Sequence, residues 1–200
     1  ADHNTFLGYD CGPQCSTGTF NVGVGGGAIH DTTTGDYNTA LGYASLYDNT
    51  TASQNTGIGY QSLRNTTTGQ MNTAVGSNSL HDNTTGQNNV AIGKRALYAN
   101  TTATGNVAVG TEALDANTTG SRNVAVGYEA GSSVTTSSYH TLLGYRAGRD
   151  ITIGEGNVYI GDDAGLQTTE SSHNVAIGRN ALSLGTDGIQ QNVAIGYAAG

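Results

Sequence analysis

The chain has 200 residues, of which 31 are glycine, one is proline (Pro13), none is tryptophan and 11% are charged, with a net charge of -8. Its seven basic side chains (Arg64, Lys94, Arg95, Arg122, Arg146, Arg149 and Arg179) form no cluster for nucleic-acid phosphates. No apolar run approaches the roughly 18 residues of a membrane span, and no basic-then-apolar leader precedes Ala1, so the sequence reads as a soluble chain that is either processed or a fragment.

Abundant Gly and Asn with little charge would also suit a disordered chain, but disordered chains do not hold apolar residues in register. Here a motif of the form Asn-Val-Ala-Val-Gly recurs, with copies opening at Asn4, Asn21, Asn38, Asn55, Asn72, Asn89, Asn106, Asn123, His140, Asn157, Asn174 and Asn192. The step is seventeen residues, except for a final step of eighteen. A fixed period of this length marks a solenoid, so residues 1–200 read as one repeat domain of about twelve coils.

Numbering the opening Asn as repeat position 1, positions 2 and 4 alternate with small neighbours, the period of a strand with one buried face. Position 4 is apolar in every copy (Leu7, Val24, Leu41, Ile58, Val75, Ile92, Val109, Val126, Leu143, Ile160, Ile177 and Ile195). That column is expected to be the spine of the core, so aspartate in place of Ile92 or Val109 is expected to disrupt the roll. Position 5 is Gly throughout, as required where the backbone takes positive φ or passes close to a neighbour.

Positions 8 and 9, mostly Ala or Ser followed by Leu (Ser45-Leu46, Ala96-Leu97, Ala113-Leu114), supply a second wall. Gly131, Gly148 and Gly165 replace that Leu, so the cross-section is expected to narrow or change partner there. Asn-Thr-Thr-Gly then makes a polar corner. Two short strands and two turns per coil describe a flattened parallel β-roll, an all-β fold; at about 4.8 Å per coil it makes a rod ~55 Å long. Each coil carries few large apolar groups, and so thin a core favours oligomerisation. Neither end shows a cap, which suggests a segment of a longer protein or a subunit stacking end to end.

Several columns bear on function. The Asn column (Asn4, Asn21, Asn38, Asn55, Asn72, Asn89, Asn106, Asn123, Asn157, Asn174, Asn192) is read as a hydrogen-bonded ladder along the axis. Tyr9, Tyr43, Tyr60, Tyr128, Tyr145 and Tyr197 form a partial row that suits subunit packing or sugar stacking. Asn49, Asn65, Asn83, Asn100 and Asn117 open Asn-Thr-Thr sequons, either turn chemistry or glycan acceptors, and Asn117→Gln should matter little unless the row is glycosylated. Cys11 and Cys15, spaced by Gly-Pro-Gln, suit a local disulfide and an oxidising, extracellular setting.

The Thr columns raise an ice-binding reading, but neighbouring Thr residues such as Thr84-Thr85 point to opposite sides, whereas a flat face needs Thr separated by one residue. The histidines (His3, His30, His81, His140, His173) are scattered in phase and form no trio with Ser and an acid, so no enzyme, metal or cofactor is expected. Asp162-Asp163 reads as a solvated pair, and Gly23 to Gly27 lacks the Lys of a phosphate loop and reads as structural.

Asn89-Val90-Ala91-Ile92-Gly93, Asn174-Val175-Ala176-Ile177-Gly178 and Asn192-Val193-Ala194-Ile195-Gly196 resemble the Ala-Ile-Gly head repeats of trimeric autotransporter adhesins, and copies followed by Asn-Thr-Thr-Gly resemble repeats of phage tail fibres. The resemblance implies a left-handed parallel β-roll, a homotrimer packed through one apolar face, and a place on a cell or virion surface facing a host or glycan receptor. The longer step and the Asn-Thr-Thr corner depart from the adhesin heads and leave a head-to-tail filament as the alternative. A non-enzymatic fibre or adhesin segment is the expected function, followed by the filament subunit and then an ice- or carbohydrate-binding module.

Overall fold

The computed structural model describes residues 3–184 and 188–200. Each coil carries one three-residue strand. They are β1 (Thr5–Leu7), β2 (Val22–Val24), β3 (Thr39–Leu41), β4 (Thr56–Ile58), β5 (Thr73–Val75), β6 (Val90–Ile92), β7 (Val107–Val109), β8 (Val124–Val126), β9 (Thr141–Leu143), β10 (Val158–Ile160), β11 (Val175–Ile177) and β12 (Val193–Ile195). They form one parallel sheet in sequence order, so the chain is a β-solenoid making eleven turns from β1 to β12. Register follows the repeat: Ala74 faces Ala91 and Ala91 faces Ala108. The eighteen-residue step is absorbed between β11 and β12, where Val175 still faces Val193.

The second strand expected in each coil is not formed. At positions 7 and 9 the backbone instead takes left-handed conformations, as at Arg95 (φ 58) and Leu97 (φ 51), and position 17 does the same at Tyr37, Met71 and Asn88. A non-glycine residue costs about 1–2 kcal/mol in that region. The return is axial hydrogen bonding: Arg95 donates to Ser77 of the preceding coil and Leu97 to Ala113 of the following one, both at 3.0 Å. Backbone groups outside the strands are thus satisfied largely from coil to coil, joined by short turns within a coil such as Asn100 N to Leu97 O (3.2 Å).

The strand faces are the reverse of the sequence expectation. Position 3 points inward (Ala40, Ala74, Ala91, Ala108, Ala125 and Ala176 are fully buried), whereas position 4 lies outside, with Leu41 47% and Ile92 41% exposed and Val109 half-buried. The reason is volume. Leu46, Leu63, Leu80, Leu97 and Leu114 reach in from position 9 and fill the interior, leaving room opposite for a methyl group only. Period two in a three-residue strand fits either face, and hydrophobicity alone selects the bulkier one.

The coils that lack Leu at position 9 confirm this logic by changing partner. Phe6 occupies position 3 where Gly12 occupies position 9, and a methyl group on Gly12 would lie 2.7 Å from the Phe6 ring. Leu142 and Tyr159 replace Ala at position 3 in the coils of Gly148 and Gly165; Leu142 also fills the space beside Gly131, together with Val134. At position 5 the glycines take φ near +136, and a methyl on Gly76 would stand 2.5 Å from the carbonyl oxygen of Gly93. The coils therefore stack closely only because this corner has no side chain.

Candidate binding surface

One internal asparagine ladder, broken only at His140, runs along the stack, and a second, shorter one occupies four coils; together they hold the outer columns in place. In the position 1 ladder the Asn106 backbone N donates to Asn89 Oδ1 (2.9 Å), Asn123 N donates to Asn106 Oδ1 (2.8 Å), and Asn106 Nδ2 donates to the Gly120 carbonyl (2.8 Å). The last bond ties the start of a coil to its final corner, fourteen residues on. Equivalent bonds link Asn4, Asn21, Asn38, Asn55, Asn72, Asn89 and, further along, Asn157, Asn174 and Asn192.

His140 stands in this ladder. Its backbone N donates to Asn123 Oδ1 (2.9 Å), its Nδ1 accepts from Asn157 N (3.2 Å), and its Nε2 lies 3.1 Å from Ser137 Oγ. Nδ1 must therefore be unprotonated, and burial holds the imidazole down to about 4, against a backbone contact to Gly154 that pulls the other way.

The second ladder is made of sequon residues. Asn49, Asn83, Asn100 and Asn117 are fully buried. Asn117 Nδ2 donates to Asn100 Oδ1 (3.2 Å) and to Gly120 O (2.9 Å), and Asn100 Nδ2 donates to Asn83 Oδ1 (2.8 Å). The Gly120 carbonyl thus receives amides from both ladders. A glycan on these four nitrogens would have to pass through the coil wall, so the fold corrects the acceptor reading for them. Asn65 alone sits at the surface, between Arg64 Nη1 (2.7 Å) and Asp82 Oδ1 (3.1 Å).

The disulfide is likewise corrected: Cys11 and Cys15 are free thiols. They occupy separate interior columns. Cys11 packs beside Gly23 and the core, while Cys15 lies 3.5 Å from the Gly18 carbonyl and 3.6 Å from Asn4 Nδ2. Burial raises the pKa of both thiols.

The Thr pairs divide as their alternation predicts. Thr84 and Thr101 turn their hydroxyls onto carbonyls of the next coil (both 3.1 Å), whereas Thr85 and Thr102 are exposed. The outward neighbour two residues on varies (Asp36, Gln87, Thr104, Ser121), so no regular two-column hydroxyl array results. Among the described residues no three His, Cys, Asp or Glu side chains are placed to hold a metal ion, and no helix is long and apolar enough to cross a membrane.

What remains on the outside is a ribbon flanked by two rows that are aromatic in part. Positions 2 and 4 carry only Thr, Val, Leu or Ile in all twelve copies. On one side runs the tyrosine row, where Tyr43 stacks on Tyr60 (5.7 Å) and Tyr128 on Tyr145 (5.4 Å), with Tyr9 and Tyr197 exposed near the ends. On the other side lies position 17, which the sequence reading passed over: His3, Phe20 and Tyr37 stack at 4.9 and 5.1 Å, and Met71 and Tyr139 are exposed. Its signal was present in the repeat phase but not in any consensus residue.

These features define a parallel β-solenoid with an Ala-Leu interior lined by amide ladders and an uncharged outer ribbon of Thr, Val, Leu and Ile. Comparison with models of known protein families, with characterised proteins and with solved structures finds no match.

Proposed function

We propose that the chain is a non-enzymatic structural segment of an extracellular fibre or adhesin, and that it assembles side by side, as a homotrimer, through the outer ribbon of positions 2 and 4. The observation that carries this reading is the absence of any charged side chain from those two columns in all twelve copies. A ribbon ~55 Å long and ~10 Å wide covers about 500 Å², near the upper end for the largest apolar patch of a monomeric protein. Extending over the position 17 row brings it closer to the roughly 800 Å² per partner of a stable interface, with the tyrosine row left outside the contact. An edge-to-edge assembly would leave this ribbon in water; a lateral one removes it.

The test is the solution mass of the chain and of Ile92→Asp and Val109→Asp, measured by light scattering together with melting curves. Wild-type protein at three times the chain mass, and variants reduced to the single-chain mass with solenoid circular dichroism retained, are expected. A wild-type monomer at high concentration would defeat the proposal.

A further inference from the structure

Tyrosine fills position 6 in six of the twelve copies, and where Gly26 stands between Tyr9 and Tyr43 the row opens into a cavity. Position 6 and position 7 are both glycine only at Gly26-Gly27; every other copy carries side chains there. The gap, about 160 Å³ in volume, lies between Tyr9 on the preceding coil and Tyr43 on the following one, with Asp10, His30 and Tyr47 completing its walls. Tyrosines one coil apart stack at 5.7 and 5.4 Å in this row, so Tyr9 and Tyr43, two coils apart, bracket a space about twice as deep.

The glycines keep it open in different ways. A Cβ on Gly26 would meet only ordinary contacts to the Tyr43 ring (3.4 and 3.7 Å), so a larger residue fits there sterically and would fill the gap. A Cβ on Gly27, at φ +65, would press on the Tyr47 ring at 3.1 Å. His30 is fixed in place by its Nδ1 contact to Asp31 (2.6 Å) and by stacking on Tyr47 (4.5 Å, 4°).

We infer that this gap is a binding slot for one pyranose ring of a glycan, held between the faces of Tyr9 and Tyr43. The space of a whole missing rung suits a saturated ring, whose C–H bonds present partial positive charge to the negative aromatic faces on both sides. A flat aromatic guest would also fit between the rings but would leave the polar groups of the rim unused. The rim offers both kinds of polar group that sugar hydroxyls need, an acceptor in the Asp10 carboxylate and donors in the tyrosine hydroxyls. A cation would use the carboxylate and the ring faces but not the donors. The slot deepens the adhesin reading by naming the ligand class, yet its test does not depend on assembly, which is read from mass.

The experiment follows the backbone amides of Gly26 and Gly27 by NMR in the full chain during titration with methyl glucoside, methyl galactoside and N-acetylglucosamine, with choline as the cationic comparison. Saturable shifts at these glycines with at least one sugar are expected. Gly26→Tyr, which fills the missing rung, and Tyr9→Ala, at an 84% exposed position, should each weaken the response about tenfold or more with unchanged melting. The inference is overturned if no sugar moves these amides, if choline alone does, or if Gly26→Tyr responds like wild type.

Discussion

At the scale of single residues, the buried amides do the work that charged or apolar groups do in thicker proteins. Removing Asn106 would leave the Asn123 N–H without its acceptor and take one of two donors from Gly120 O, both inside the coil. Unsatisfied buried groups cost about 1–3 kcal/mol each, so Asn106→Ala should lower stability by roughly 2–4 kcal/mol in denaturant melts, while Asn65→Ala, at the surface, should change it little. Asn117→Gln, harmless if the sequon were only a turn, is instead expected to destabilise, because a longer side chain cannot reach both Asn100 and Gly120 from the same place. Intact mass of material made in a glycosylating host should show at most one N-glycan, at Asn65.

His140 adds a pH dependence with a defined sign. Its folded pKa of about 4 lies below the ordinary 6.5, so the unfolded chain takes up the proton first. This site's contribution is therefore complete above pH 6.5 and is lost as the pH falls toward 4, at about 1.4 kcal/mol per unit, levelling off below. His140→Asn restores the repeat residue, and the difference in stability between variant and wild type should widen from pH 7 to pH 4. A constant difference across that range would place the imidazole elsewhere than in the ladder.

At the scale of the coil, the unit of design is a pair of positions, 3 and 9, that share one volume. Tyr159 with Gly165 and Phe6 with Gly12 are the inverse of the usual Ala with Leu. Tyr159→Ala alone leaves a cavity and should cost about 3–5 kcal/mol. Adding Gly165→Leu rebuilds the common arrangement and should recover most of that loss, since Leu already occupies the left-handed conformation at position 9 of other coils. If the double variant is no more stable than the single one, the two positions do not share a volume. Gly76→Ala tests the other fixed element: its φ of +137 and the backbone of Gly93 together predict a loss of at least ~1–3 kcal/mol.

At the scale of the whole molecule, the ladders explain how so slender a rod holds together, while the ribbon is the surface through which the proposed assembly would form. Opposed faces carry different chemistry: Ala, Leu and amides inside, an uncharged strip of Thr, Val, Leu and Ile outside. Aspartate at Leu97 should unfold the chain, because an unpaired charge would be buried, whereas aspartate at Ile92 should leave the fold intact and change only the solution mass. Melting and light scattering on the same two samples separate these outcomes.

The period of the chain, its parallel β-solenoid class, the conserved glycine corner and the buried Ala-Leu wall were all legible in the sequence, because a stack of identical coils repeats every requirement at a fixed spacing. The inward face was not. In a strand of three residues alternation names two faces without ranking them, and the choice fell to volume contributed by position 9 from across the core. The same holds for the sequons, whose residues fit a surface corner and a buried ladder equally well until the Gly120 carbonyl and its equivalents are seen between them. The pairing of Tyr9 with Tyr43 across Gly26 likewise exists only in three dimensions, since it requires residues 34 positions apart in sequence to lie two coils apart along the axis.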